Sequence, residues 1–182
     1  MKLFITRHGE SDWNVKELAC GISEAELTDK GREQAQALAY DIAANQNTYN
    51  IKTIYVSPLK RAKETSSYIE KALGVKAITN ELLKEMNFGT FEGANWKNSP
   101  VEEILKQPFM RFPKGESLAD VAHRAYSVVE DILKKHKDTK EGILLVCHGI
   151  MTAMLCTYFK SFTQNEFEVL EIENCKLLEF NL

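Results

Sequence analysis

Near the amino terminus, Arg7-His8-Gly9-Glu10-Ser11 follows directly on a short apolar run, Leu3-Phe4-Ile5. A buried strand that ends in an arginine and a histidine delivers both side chains to one place. In open α/β sheets, ligands sit beyond the carboxyl ends of the strands. Arginine grips a phosphate with two parallel hydrogen bonds, and histidine titrates near neutrality and serves as base or nucleophile. An anion-binding cation beside a nucleophile points to phosphoryl transfer. His148 repeats the placement after the apolar run Ile143 to Cys147, and it too is followed by glycine, which permits close approach to a ligand. The alternative is two unrelated histidines in polar turns. Two at equivalent strand ends, one beside an arginine, favour a shared site.

Further candidates come from the chain between them. Arg61 falls in the first turn of a helix that follows Ser57-Pro58. A cation opposes the positive end of a helix dipole, and a bound phosphate would remove the conflict; a solvated arginine beside Lys60 and Lys63 is the competing reading. Glu85 opens the loop Glu85 to Gly93, where apolar neighbours such as Met86 and Phe88 would raise a carboxyl pKa and suit it to general acid work. Glu92 qualifies equally on local grounds, and either could be an exposed loop carboxylate.

The elements that must position these residues alternate. Lys2 to Thr6, Lys52 to Val56, Lys76 to Thr79 and the almost wholly apolar Gly142 to Cys147 read as strands. Thr28 caps a helix to Ala44 with Ala35, Leu38, Ala39 and Ile42 at helical spacing. A second helix runs from Pro58 to about Leu73, where Gly74 stops it. A short helix begins at Pro100. Ser117, with Asp120 three residues on, caps a long helix to about His136, and Gly149 to Phe159 is helical. Phe167 to Ile172 and Lys176 to Phe180 resemble a terminal hairpin turning at Glu173-Asn174. This order predicts an α/β fold, a three-layer α/β/α sandwich on a mainly parallel central sheet.

Composition narrows the function. The 182 residues suit one domain, with residues 94–114 as a small lid. A formal net charge of −3 argues against nucleic-acid or anionic-membrane partners. The four scattered cysteines form no C-x-x-C pair and read as reduced thiols of a cytoplasmic protein. No apolar run approaches a membrane span or a signal peptide. Neither a Walker loop, an H-E-x-x-H helix nor a dinucleotide fingerprint is present, and no aspartate cluster suggests a metal. The terminal strand, if exposed, could pair with a second copy and give a homodimer.

The run R-H-G-E-S-x-W-N at Arg7 to Asn14 resembles the histidine phosphatase superfamily, in its phosphoglycerate-mutase-like branch. Further motifs of that family appear in order: L-T-x-x-G at Leu27 to Gly31, S-P-L-x-R-A-x-E-T at Ser57 to Thr65, E-x-x-x-G-x-F-E-G at Glu85 to Gly93, G-E-S at Gly115 to Ser117 and C-H-G at Cys147 to Gly149. The resemblance implies a phosphoglycerate-mutase-like fold and gives each residue a role. His8 would be the nucleophile that becomes phosphohistidine. Arg7, Arg61 and His148 would hold the phosphoryl oxygens, with Asn14 as a further contact. Glu85, rather than Glu92, would be the proton donor to the leaving group and then the base toward water. No metal or other cofactor is implied.

Relatives of this kind are hydrolases or mutases. Only about twenty residues separate Gly93 from Gly115, a small lid that admits water, whereas mutases are generally longer and close over the site. The segment to Gly93 resembles a phosphatase pattern, with Phe91 where tryptophan is usual, and Ile150-Met151-Thr152 lacks the Asn-Ser pair common in mutases. The Trp13-Asn14 pair is shared with mutases, and Gly21-Ile22-Ser23-Glu24 departs from the usual G-W-x-D. The resemblance therefore implies a metal-independent phosphomonoesterase that acts on a small phosphorylated metabolite and releases inorganic phosphate. The alternatives are a mutase-type phosphoryl transferase and a phosphate-binding protein without turnover. Phe88, Phe109, Met110, Phe112 and Met151 are candidates for an apolar rim, with Arg111 available for a second anion; packing of the lid onto the core is the competing role for them.

Overall fold

A computed structural model describes residues 1–181. Five strands, β1 (Lys2–Arg7), β2 (Ile51–Val56), β3 (Ala77–Thr79), β4 (Gly142–Cys147) and β5 (Leu177–Asn181), form one sheet in the order β3-β2-β4-β1-β5. The first four are mutually parallel, and β5 runs antiparallel along the outer edge of β1. Eight α-helices accompany them among the described residues: α1 (Asp12–Val15), α2 (Asp29–Ala44), α3 (Gln46–Tyr49), α4 (Lys60–Leu73), α5 (Val101–Leu105), α6 (Leu118–His136), α7 (Gly149–Phe159) and α8 (Gln164–Glu168).

Alternation along the central strands builds the three layers. Leu3 and Ile5 of β1, with Ile143, Leu145 and Cys147 of β4, face a core shared with α6 and α7. Phe4, Leu144 and Val146 face the opposite core, with Leu38 and Ile42 of α2 and Ala62 and Ile69 of α4. Every residue of β4 is buried, so its continuous apolar run is what a strand covered on both faces requires. The helices begin and end where their caps dictate. The Thr28 hydroxyl accepts from Gly31 N, Ser117 forms a reciprocal capping box with Asp120, and Gly74 closes α4 in the left-handed conformation that only glycine adopts cheaply.

The terminal hairpin does not form. Thr163 and Glu166 make a capping box that starts α8, which takes in Phe167, and residues 169–173 follow as an irregular strap. The strap is captured by the end of β1 instead of by β5: Cys175 N donates to Arg7 O at 3.0 Å and Arg7 Nη1 donates to Ile172 O at 2.8 Å. No helix among the described residues is long and apolar enough to cross a membrane.

Candidate active site

The adjacent strands β1 and β4 end side by side, and His8 and His148 lie just beyond them with ring centroids 5.2 Å apart. The backbone fixes His8 on three sides. Its N–H donates to Cys147 O at 3.0 Å, its carbonyl accepts from Asn174 Nδ2 at 2.7 Å, and the next amide, Gly9 N, donates to Thr65 Oγ1 at 3.0 Å. Gly9 passes so close to α2 that a Cβ there would lie 2.3 Å from Gly31 O.

The tautomer of His8 is set from both sides of the ring. Nδ1 lies 2.7 Å from Gly9 O, an acceptor, and Nε2 receives a hydrogen bond from Arg61 Nε at 3.2 Å. The proton therefore sits on Nδ1 and the lone pair on Nε2. Burial, reinforced by Arg61 and Arg7, holds His8 well below the usual histidine pKa, so the ring is neutral near pH 7. His148 is fully buried and is likewise held well below its usual range, by burial first and then by Arg61. Its Nε2 pairs with Ser57 Oγ at 2.7 Å, and its Nδ1 has no partner among the described residues.

Arg61 is wholly buried, which rules out the solvated reading. It reaches back from α4 to donate from Nη1 to Ser23 O at 2.8 Å and from Nη2 to Gly21 O at 2.7 Å and Cys20 O at 3.3 Å. That loop is itself fastened by Glu92, whose carboxylate accepts from the amides of Gly21, Ile22, Ser23 and Phe88. Glu92 thus acts on Arg61 through the loop it braces. Thr65, one helical turn after Arg61, accepts from Gly9 N while donating to Arg61 O at 2.8 Å.

Glu85 is buried at the amino terminus of α7. Oε2 accepts from Ile150 N at 3.0 Å, and Oε1 accepts from Met151 N at 3.1 Å and Met86 N at 2.9 Å. Burial raises its pKa above the usual carboxyl value, against the pull of these three amides. A Cβ on Gly149 would lie 3.7 Å from both Glu85 Oε2 and Arg7 Cζ, so carboxyl and guanidinium flank one glycine. Glu116 and Arg124 support this segment from behind. Glu116 accepts from Asn87 N and pairs with Arg124 at 2.9 Å, and Arg124 donates to the carbonyls of Leu82, Lys84 and Glu85.

Arg7, His8, Asn14 and Glu85 line one cavity of roughly 1040 Å³, with Arg61 and His148 packed behind His8. The Oδ1 of Asn14 is used by Ser11 N at 3.0 Å in the cap of α1, leaving its amide nitrogen as the end that can meet an anion. Arg7 keeps Nε shielded from solvent and unpartnered. All six residues singled out in the sequence therefore converge. Of the apolar rim only Phe88 reaches the cavity lining; Phe112 and Met151 are buried away from it, and Phe112 packs edge-on against Phe88 and Phe91, which pins the lid to the core. Phe109 is 87% exposed and Met110 is exposed, outside the cavity lining. Arg111 is engaged by Asp120 at 2.8 Å. Sequence reasoning overlooked Ser57, Thr65 and Asn174 as site residues. Thr65, four residues after Arg61 on the same helix, was a usable signal, whereas nothing local to Ser57 or Asn174 announces its bond to His148 or His8.

A mostly parallel sheet that brings Arg7 and His8 at one strand end beside His148 at the next, against a buried carboxyl, is laid out on an α/β scaffold to receive an anion. Residues 3–182 match the histidine phosphatase superfamily (branch 1), and the chain belongs to that family. It is 30% identical to phosphoserine phosphatase 1 of Hydrogenobacter thermophilus over 86% of this chain and 75% of that protein. It is 27% identical to a 2,3-bisphosphoglycerate-dependent phosphoglycerate mutase of Bartonella bacilliformis over 93% of this chain and 86% of the other. Among solved structures, Bacillus stearothermophilus YhfR superposes with a TM-score of 0.86 at 25% identity, over 100% of this chain and 91% of that one.

Proposed function

We propose that the protein is a metal-independent phosphomonoester hydrolase that works through phosphohistidine at His8. The observation that carries this reading is the fixed tautomer of His8: neutral, Nδ1–H bound to Gly9 O, and Nε2 turned toward the Arg61 guanidinium. An incoming phosphate takes the place of the Nε2–Arg61 bond, with Arg7, Arg61, His148 and the Asn14 amide around its oxygens. The two guanidinium groups neutralise its charge, which is most of what phosphoryl transfer asks of a protein. The anion also gives His148 reason to take up a proton that burial denies it in the free enzyme.

In the first step the Nε2 lone pair of His8 attacks phosphorus, the P–O ester bond breaks, and protonated Glu85 gives its proton to the departing oxygen. In the second step Glu85, now a carboxylate, takes a proton from water as that water attacks phosphorus. The P–N bond breaks, inorganic phosphate forms, and both His8 and Glu85 return to their starting states.

Hydrolysis is favoured over mutase chemistry by the open cavity, whose exposed mouth admits water, and by its many glutamates, which oppose a doubly phosphorylated ligand. The phosphoserine phosphatase among the relatives is in keeping with a small phosphorylated metabolite as substrate. The chain would act as one domain, with residues 94–114 covering the cavity. The four free cysteines suit the cytoplasm, where thiols stay reduced.

The test is turnover of p-nitrophenyl phosphate with EDTA present. The wild type should retain its rate, and His8→Ala should lose at least about a thousandfold. Loss of wild-type turnover in EDTA, or survival of turnover in His8→Ala, would overturn the assignment.

A further inference from the structure

The cavity is electrostatically two-ended. Its buried floor holds Arg7 with an unpartnered Nε, and behind it lie the Arg61 guanidinium and the orphaned His148 Nδ1, all arranged for an anion. Its exposed mouth carries the opposite sign: Glu17, Glu102, Glu168, Glu171 and Glu173 against Lys97 and Lys106. Lys97 is held by Glu17 at 2.8 Å, and Glu173 pairs with Lys176 outside the cavity. Among the described residues, Glu168 accepts only from a neutral amide, Gln164 Nε2, at 2.8 Å. Even after these pairings the mouth keeps an excess of carboxylates. Trp96 also lines it, held edge-on against Phe88, and offers an aromatic surface of the kind that attracts cations.

A phosphate dianion entering past this mouth is repelled, and a second anionic group left there would face the same carboxylates. An ester whose alcohol carries a positive charge meets neither cost, since its phosphate reaches the arginines while its cation stays among the glutamates. We propose that the preferred substrates are phosphate monoesters of amino or quaternary ammonium alcohols. This rests on the phosphatase reading and adds the charge of the leaving group to it. Glu102 and Glu171 are the specificity residues that can be changed at least structural risk, because both are exposed.

The experiment compares kcat/KM for O-phosphoethanolamine, ethyl phosphate and phosphoglycolate, which share a two-carbon skeleton ending in a cation, a neutral group and an anion. Each step down that series should cost roughly fivefold at low salt, about what one well-placed exposed ion pair contributes. The differences should shrink in about 0.5 M salt, where the screening length is a few ångströms. The Glu102→Gln/Glu171→Gln double variant should bring the phosphoethanolamine-to-ethyl phosphate ratio toward unity. Ethyl phosphate or phosphoglycolate turned over as well as phosphoethanolamine, or a ratio untouched by the double variant, would overturn this proposal alone. Absence of His8-dependent turnover for all three esters and for p-nitrophenyl phosphate would overturn the phosphatase reading and this one with it.

Discussion

Glu85 illustrates how much of the chemistry is set at single residues. Its carboxyl group is buried, which raises its pKa, yet two amides at the start of α7 and that of Met86 stabilise the charged form it must adopt between steps. Glu85→Gln keeps the shape and removes the proton. The expected result is a loss of about a hundredfold or more in kcat for an alkyl phosphate, and a much smaller loss for p-nitrophenyl phosphate, whose leaving group needs no proton. Equal losses on both esters would remove Glu85 from the acid role. Local sequence could not separate Glu85 from Glu92, and only the family motif favoured Glu85. The structure divides them by partner: Glu85 faces the cavity beside Arg7, and Glu92 spends its oxygens on four backbone amides. Local sequence reports that a carboxylate is near apolar residues, not which backbone the fold brings to it.

At the scale of elements, the site depends on the close contact between the loop after β1 and the first turn of α2. Gly31 lies inside that helix, where alanine is intrinsically better by about 1 kcal/mol. A Cβ there, however, would come within 2.0 Å of Glu10 O, a backbone atom with no room to move. Gly31→Ala should therefore reverse the usual sign, lowering the urea midpoint and kcat together as the His8 loop is pushed aside. A midpoint equal to or above that of the wild type would show that the contact is loose. The strands, the caps at Thr28 and Ser117, and the stop at Gly74 were legible because they depend on neighbours a few residues away. The carboxyl-terminal hairpin was misread because residues 169–175 have alternating apolar residues but bond to Arg7 and His8, far off in sequence. The lid aromatics were open between rim and core for the same reason: composition does not say which side of Phe112 the core lies on.

For the molecule as a whole, two buried neutral imidazoles link folding to pH. Burial and the arginines hold His8 and His148 well below their ordinary value of 6.5. Below about pH 6.5 the unfolded chain binds protons on both rings that the folded chain refuses, so stability falls as pH falls from there. Each ring contributes about 1 kcal/mol per pH unit. Glu85, with its pKa raised, works in the opposite direction as pH falls toward its ordinary 4.5, and is outnumbered. Urea unfolding at pH 7.5 and 5.5 should show this loss in the wild type and much less of it in a His8→Asn/His148→Asn variant. A wild-type midpoint that does not move would contradict the burial argument. The two cores share all their central strands, so a single transition is expected at either pH. Inorganic phosphate should raise the wild-type midpoint, since it supplies the anion that the unpartnered Arg7 and His148 nitrogens lack.

The most direct test is to trap the covalent intermediate. Wild-type protein mixed with a radiolabelled phosphate ester and quenched in alkaline denaturant should carry label on the peptide containing His8. That label should survive alkali and be released by acid, as a phosphorus–nitrogen bond requires, and it should be missing from His8→Ala. A label that withstands acid, or that persists in His8→Ala, would contradict a phosphohistidine mechanism.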